Sequence, residues 1–74
     1  MIHPEQLRMA RAGLGWTLQD LAGRAGVNPN TISRFEQGRD VMAGKLRRIE
    51  ATLAAAGVRF IDDSSGLGAV IERK

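Results

Sequence analysis

The chain has 74 residues, with no cysteine and a single histidine, His3. A chain of this length forms one small domain, and without a disulfide framework or a Cys/His zinc pattern its stability depends on packing or on a partner. The net charge of +3 is uneven, because residues 1–49 carry eight Lys and Arg against four Asp and Glu, and residues 50–74 carry three against four. No run approaches the ~20 apolar residues of a membrane span and the N-terminus lacks a signal-peptide pattern, so we expect a cytoplasmic protein without a membrane partner.

The first predicted helix begins at Pro4, a residue favoured at the first position of helices. It ends at the break Gly13-Leu14-Gly15, and Leu7 and Ala10 recur along it at helical spacing. His3 then takes the N-cap position, where Ser, Thr, Asp or Asn is preferred, so the start of this helix is less sharply marked than its end.

The second predicted helix begins after Thr17, a preferred N-cap residue. Asp20 stands three residues later, which matches the reciprocal capping pattern with Asp in place of the usual Glu. One face of this helix is apolar and comprises Leu18, Leu21, Ala22 and Ala25. Gly26 is expected to end the helix.

The third predicted helix repeats the same start signal, with Asn28 as the cap and Pro29 in the first turn. Only residues 26–28 separate it from the helix before. Ile32 and Phe35 point to one side, and Gly38 is expected at the C′ position. An opposite arc of about 100° is polar and holds Asn30, Ser33, Arg34 and Gln37.

The rest of the chain predicts a fourth helix and a β-prone tail. After a connector over residues 39–44, the apolar face of the helix is marked by Leu46, Ile49, Leu53 and Ala56 before Gly57. Two β-prone runs follow at 58–61 and 69–71, with turn-forming residues 62–68 between them. Trp16 and the methionines are expected to pack in the core. We therefore predict a mainly α, four-helix domain over residues 1–57 and a C-terminal β-hairpin or extended arm over residues 58–74.

Two short helices joined by a tight, glycine-containing turn, the second with a polar outer face, form a helix-turn-helix arrangement. The stretch from Thr17 to Gly38 resembles the core of the lambda-repressor-like, or Cro-like, helix-turn-helix proteins. The resemblance covers roughly residues 4–57, and its most specific points are Leu21-Ala22, Gly26, Ile32, Glu36 and Gly38. It implies a sequence-specific, double-stranded-DNA-binding transcriptional regulator, which we expect to be a repressor associated with the nucleoid.

The resemblance implies that the third helix lies in the major groove and reads base edges. The base-reading positions correspond to Pro29, Asn30 and Arg34, with Ser33 and Gln37 beside them. Arg34 is suited to guanine O6 and N7, Asn30 to adenine N6 and N7, and Pro29 to a thymine methyl. We therefore expect Asn30 and Arg34 to carry most of the specificity.

In such proteins phosphate contacts come from the N-termini of the second and third helices and from the loop beyond the third. The corresponding residues are Thr17, Gln19, Asn28, Arg39, Lys45, Arg47 and Arg48. The family often has glutamine directly after the second helix cap, where this sequence has Leu18 followed by Gln19. The resemblance also implies a structural ion pair between Arg11 and Glu36.

The β-prone tail predicts self-association, because an isolated hairpin is marginal and an exposed edge invites pairing. The residues expected at a dimer interface are Phe60, Ile61, Val70 and Ile71. A homodimer would place two recognition helices about 34 Å apart on a palindromic operator. The alternative is an antitoxin or adaptor of the same fold whose tail binds another protein.

An enzyme is disfavoured by the distribution of reactive side chains. His3 stands alone near the terminus, and Asp62-Asp63 lies in a predicted loop with no basic or histidine partner at a useful spacing. The glycine pairs at 13 and 15 and at 66 and 68 match neither nucleotide-binding loop. We accordingly expect no catalytic residue, no cofactor and no metal.

Overall fold

The computed structural model describes residues 2–72. Four helices are followed by one antiparallel hairpin, which confirms the predicted fold class. The helices are α1 Pro4–Leu14, α2 Leu18–Ala25, α3 Pro29–Glu36 and α4 Ala43–Ala55. The strands are β1 Val58–Asp63 and β2 Gly66–Ile71.

The helix starts are held by the side chains that mark them in the sequence. Thr17 Oγ1 accepts the backbone N–H of Asp20 at 3.0 Å, and an Asp20 carboxylate oxygen accepts that of Thr17 at 2.9 Å. Asn28 Oδ1 accepts the backbone N–H of Asn30 at 2.8 Å. These bonds satisfy N–H groups that have no partner within the helix, which explains why α2 and α3 begin where predicted.

The end of α3 is set by Gly38, whose φ of +85° lies in the left-handed region. In this conformation the backbone N–H of Arg39 donates to the carbonyl of Arg34 at 3.0 Å. The backbone N–H of Gly38 donates to the carbonyl of Phe35 at 2.9 Å. The fourth helix begins two residues before Lys45, at Ala43, inside the predicted connector. Its N-cap is Met42, which makes no side-chain capping bond, so the sequence carried no start signal there.

The core is built from side chains of all four helices. Fully or nearly fully buried are Leu7 from α1, Leu21 from α2, Ile32 from α3, and Leu46, Ile49 and Leu53 from α4. Val58, the first residue of β1, is also buried. The hydrophobic stripes predicted for the helices therefore converge on a single cluster.

The hairpin is longer than the sequence predicted. Its strands pair from Val58 opposite Ile71 to Asp63 opposite Gly66, so only Ser64 and Ser65 form the turn. Treating all of residues 62–68 as turn was therefore wrong. Asp63 accepts the backbone N–H of Ser65 at 2.8 Å, and hydrogen bonds from Ser65 hold the pKa of Asp63 below its ordinary value.

The inner face of the hairpin packs against the helices. Val58, Phe60, Ala69 and Ile71 all contact the core cluster. Gly13 on α1 leaves no room for a Cβ because the Ile71 side chain occupies that space. Residues 58–71 thus share one core with residues 2–57 and do not project as an arm.

A buried glutamine ties the hairpin to α1. Gln6 is only 1% exposed, and its Nε2 donates to the carbonyls of Ile61 at 2.7 Å and Gly68 at 3.2 Å. Its Oε1 accepts the backbone N–H of His3 at 2.8 Å. One side chain therefore satisfies polar groups of α1 and of both strands where water is excluded.

Candidate nucleic-acid interface

The α2–α3 pair presents one side of α3 to solvent. The two helices are separated by residues 26–28 and pack through Leu21 and Ala25 on α2 and Ile32 and Phe35 on α3, all of which are buried. Burial of one side of α3 leaves its opposite side free for contact with another molecule.

The five residues expected to read bases lie on that outward side, within an arc of about 140°. Asn30, Arg34 and Gln37 are exposed, whereas Pro29 and Ser33 are half-buried. Gln37 Nε2 donates to Ser33 Oγ at 3.3 Å, so these two side chains already satisfy part of each other's hydrogen-bonding capacity. Asn30 and Arg34 are consequently the outward residues whose side-chain polar groups make no such bond within the described chain.

Three of the expected phosphate contacts lie at the starts of α2 and α3. Thr17, Gln19 and Asn28 are exposed, but the side-chain oxygens of Thr17 and Asn28 act as helix caps. Hydrogen bonds from the backbone and side chain of Thr17 hold the pKa of Asp20 below its ordinary value. A carboxylate therefore already stands at the positive end of α2, where it disfavours a phosphate.

The remaining expected phosphate contacts are the cations beyond α3. Arg39, Lys45, Arg47 and Arg48 are exposed, and within residues 2–72 none of them forms an ion pair. Arg34 and Lys45 line one open cleft of about 190 Å³, and Lys45 and Arg48 line a second of about 270 Å³. Arg34, Lys45 and Arg48 thus follow one another across a single surface, which we call the basic strip.

Arg47 lies apart from the basic strip. At about 100° per residue, Arg48 is about 60° from Lys45 around α4, whereas Arg47 is about 160° from it. The buried Leu46 and Ile49 lie between Lys45 and Arg47 on the inner side of the helix. Lys45 and Arg48 can therefore contact the same partner, whereas Arg47 is turned to the other flank.

An ion pair joins α1 to the end of α3. Arg11 Nε and Nη2 donate to the two carboxylate oxygens of Glu36 at 2.8 and 2.9 Å, and Nη1 donates to the carbonyl of Trp16 at 3.1 Å. The side chains are only 24% and 10% exposed. The hydrogen bond with Glu36 raises the pKa of Arg11, against the effect of burial, so the guanidinium stays charged.

Four residues on this surface were not singled out by sequence reasoning. Thr31, Asp40, Val41 and Met42 all line the cleft beside Arg34. Expecting every methionine to pack in the core was wrong, because Met42 is 73% exposed and Met9 is 45% exposed. Trp16, in contrast, packs half-buried against the core as expected, with the Arg24 guanidinium 4.5 Å from its ring centroid.

A different group of polar residues meets where the hairpin covers the start of α1. His3 Nε2 lies 3.2 Å from Asp62 Oδ2, so the expectation that Asp62 has no histidine partner was wrong. The backbone N–H of Ile2 donates to Glu50 at 2.8 Å beside an open depression of about 410 Å³. Both carboxylates are thus already engaged within the chain.

Neither a membrane span nor a metal cluster is found in the part of the chain that the structure describes. Across residues 2–72, no helix is long and apolar enough to cross a bilayer. In the same range, no group of three or more His, Asp or Glu side chains is arranged to hold a metal ion.

Known proteins resemble this chain over the region that contains α2 and α3. A family model described as a helix-turn-helix domain matches residues 5–59, from α1 to the second residue of β1. A protein of Archaeoglobus fulgidus, named as a candidate HTH-type transcriptional regulatory protein, is 31% identical over 58 residues. The matched region is 78% of this chain but only 19% of that relative, so the chain spans a small part of the relative's length.

Proposed function

The chain belongs to the helix-turn-helix family of DNA-binding domains, and from this premise we propose that it reads a specific double-stranded DNA sequence with α3 and regulates transcription there. The supporting observation is the outward side of α3. Asn30 and Arg34 are exposed on a helix whose other side is anchored in the core by Ile32 and Phe35. A rigid helix that presents polar side chains is suited to a major groove about 12 Å wide.

The two side chains differ in the base edge that they match. Arg34 forms a bidentate contact with guanine O6 and N7, and Asn30 forms one with adenine N6 and N7. Each such contact contributes about 1 to 3 kcal/mol of discrimination against a wrong base. Pro29, Ser33 and Gln37 complete the surface that faces the groove.

The basic strip supplies the phosphate contacts that position α3. Lys45 and Arg48 project from the side of α4 that lies next to Arg34. One cleft is lined by Arg34 and Lys45, and the other by Lys45 and Arg48. Neither side chain forms an ion pair within the described residues, although Asp40 lines the cleft that Lys45 shares with Arg34, so both cations are available to displace counterions from DNA. Gln19, Asn28 and Arg39 are secondary phosphate contacts in this proposal, and Thr17, which is capped by the Asp20 carboxylate, contributes least.

A salt titration tests this arrangement with a matched control on the same helix. Affinity for a labelled duplex is measured between about 50 and 200 mM salt for the wild type, Lys45→Ala and Arg47→Ala. Loss of Lys45 lowers the slope of log affinity against log salt by about 1, whereas loss of Arg47 leaves it unchanged. Equal slopes for Lys45→Ala and the wild type would contradict the proposed placement of DNA.

We also propose that the protein acts as a homodimer on a palindromic operator, through the outer face of the hairpin. Of the four residues expected at a dimer interface, Phe60 and Ile71 pack inward against the core. Ile61 and Val70 alternate with them along the strands and lie on the outer face, half-exposed. They are diagonal neighbours across the paired strands, which makes a small apolar surface for a second copy.

Sedimentation velocity tests the dimer without disturbing the core. Ile61→Ser and Val70→Ser are expected to shift the protein toward monomer, whereas Met9→Ser, an exposed position on α1, is expected to have no effect. Truncation at Gly57 is unsuitable, because it removes the buried Val58 and the partners of Gln6. A wild-type chain that sediments as a monomer would contradict this part of the proposal.

We propose repression as the regulatory outcome, since a protein bound over a promoter excludes polymerase from the same DNA. The test is transcription in vitro from a template that carries the preferred duplex within its promoter. Added protein is expected to reduce the transcript, and Arg34→Ala is expected to reduce it less. An increase in transcript would show activation instead.

A further inference from the structure

Met42 is the most exposed large hydrophobic side chain of the described residues, at 73%. It lines both clefts of the basic strip, as does Lys45, and it therefore lies between Arg34 on one side and Arg48 on the other. We propose that Met42 is an apolar DNA contact, which packs against the deoxyribose of the backbone whose phosphates Lys45 and Arg48 bind. This inference rests on the proposed function.

The position of Met42 distinguishes it from an ordinary exposed hydrophobic residue. Single apolar side chains on a surface are common and need no explanation. Met9, also exposed, lines neither cleft. Met42 instead stands among three cations, none of which forms an ion pair within residues 2–72, and Asp40 is the one carboxylate of the described residues that lines either cleft.

The shape of the surface indicates what covers Met42. The two clefts are open and measure about 190 and 270 Å³, less than the roughly 300 to 1,000 Å³ of typical small-molecule sites. An extended partner that crosses both clefts fits better than an enclosed ligand. A nucleic-acid backbone provides such a partner, because anionic phosphates alternate along it with sugars that carry apolar C–H groups.

The chemistry of the side chain gives this contact a distinct signature. A cation that binds phosphate releases counterions, so its loss changes the salt dependence of binding. An apolar contact contributes by removing hydrocarbon from water, and its contribution does not depend on counterion release. Loss of Met42 should therefore lower affinity equally at every salt concentration.

The experiment measures binding of the full chain to a fluorescein-labelled duplex of mixed sequence, by anisotropy, between about 50 and 200 mM salt. The variants are Met42→Gln, which keeps the length but adds polarity, Met42→Leu, which keeps the apolar surface, and Met9→Gln as control. Met42→Gln is expected to weaken binding about three- to tenfold with an unchanged salt slope. Met42→Leu and Met9→Gln are expected to stay within about twofold of wild type.

The outcomes separate this inference from the proposed function. The inference would be overturned if the affinity of Met42→Gln stayed within about twofold of the wild-type affinity. The proposed function would still stand in that case if Lys45→Ala lowered the slope of log affinity against log salt by about 1. A wild-type chain that does not bind the duplex would overturn both. A loss that Met42→Gln shares with Met9→Gln would also overturn the inference, because the position would then not matter.

Two controls test whether a loss of affinity comes from a lost DNA contact and not from altered self-association or misfolding. Sedimentation of Met42→Gln is expected to match wild type, and a changed association state would overturn the inference in favour of a contact between copies. If Met42→Gln does not fold, Met42→Ala removes the same apolar surface without adding a polar group, and the same affinity and slope criteria apply to it.

Discussion

Arg11 and Glu36 hold α3 against α1 through two parallel N–H···O bonds of 2.8 and 2.9 Å. Glu36 is the last residue of α3, and Arg11 also donates to the carbonyl of Trp16 just before α2. The pair thus fixes the end of the proposed recognition helix relative to both preceding helices. A change at either residue should affect the fold before it affects any contact with DNA.

The pair predicts a marked asymmetry between single and double substitutions. Glu36→Ala leaves a half-buried guanidinium without its partner and is expected to lower the free energy of unfolding by about 2 to 4 kcal/mol. Arg11→Met combined with Glu36→Leu replaces both charges by apolar groups and should cost less than the sum of the single changes. Urea unfolding of the four proteins measures the coupling, and additive effects would contradict it.

Gly38 and Gly57 predict different costs for the same substitution. Both have positive φ, +85° and +95°, but a Cβ at Gly38 meets no atom, whereas one at Gly57 would lie 2.7 Å from the backbone carbonyl oxygen of Glu72. Gly38→Ala is expected to cost about 1 kcal/mol from backbone strain alone, and Gly57→Ala about 3 kcal/mol because of the added clash. Thermal unfolding compares the two, and equal losses would show that the hairpin moves freely away from α4.

The buried hydrogen bonds of Gln6 predict that the stability of the fold depends on a polar side chain at this position. Gln6→Ala removes the side-chain donor to the carbonyls of Ile61 and Gly68, leaves the His3 N–H without its acceptor and opens a cavity, so we expect a loss of about 2 to 3 kcal/mol. Gln19→Ala, at an exposed position, should change stability by less than about 0.5 kcal/mol. Urea unfolding of both variants checks this, and similar losses would contradict the role of Gln6.

The carboxylate of Asp20 predicts a pH-dependent part of the stability. Hydrogen bonds from Thr17 hold its folded-state pKa below the ordinary value, so its contribution is present above about pH 4 and is lost as the pH falls through the folded-state pKa. The gap in unfolding free energy between wild type and Asp20→Asn should be constant near neutral pH and narrow in acid. A gap that does not narrow below about pH 4 would mean that the charge of Asp20 is unimportant.

The helices could be predicted because their signals are local. Thr17, Asn28 and Gly38 each act on backbone groups within five residues of themselves, so the sequence around each one is sufficient. The pairing of Arg11 with Glu36, by contrast, was implied only by the family resemblance, since 25 residues separate them. Local spacing alone would not have joined them.

The hairpin and the basic strip depend on contacts that the sequence does not reveal. Asp62, Asp63, Gly66 and Gly68 are poor strand formers, and the strands extend through them where Gln6 reaches across 55 and 62 residues to bond their backbones. The exposure of Met42 follows from α4 beginning earlier than predicted, with a cap that gives no side-chain signal. The alignment of Lys45 with Arg34 likewise requires the packed positions of α3 and α4.

The most direct test of the account is a binding selection from a random duplex library with wild type, Arg34→Ala and Asn30→Ala. The wild type is expected to recover one preferred sequence. Arg34→Ala is expected to lose the preference for guanine at one position of that sequence, and Asn30→Ala the preference for adenine at another, each by about 1 to 3 kcal/mol. Recovery of the same sequence with the same affinity by Arg34→Ala and wild type would contradict base reading by α3.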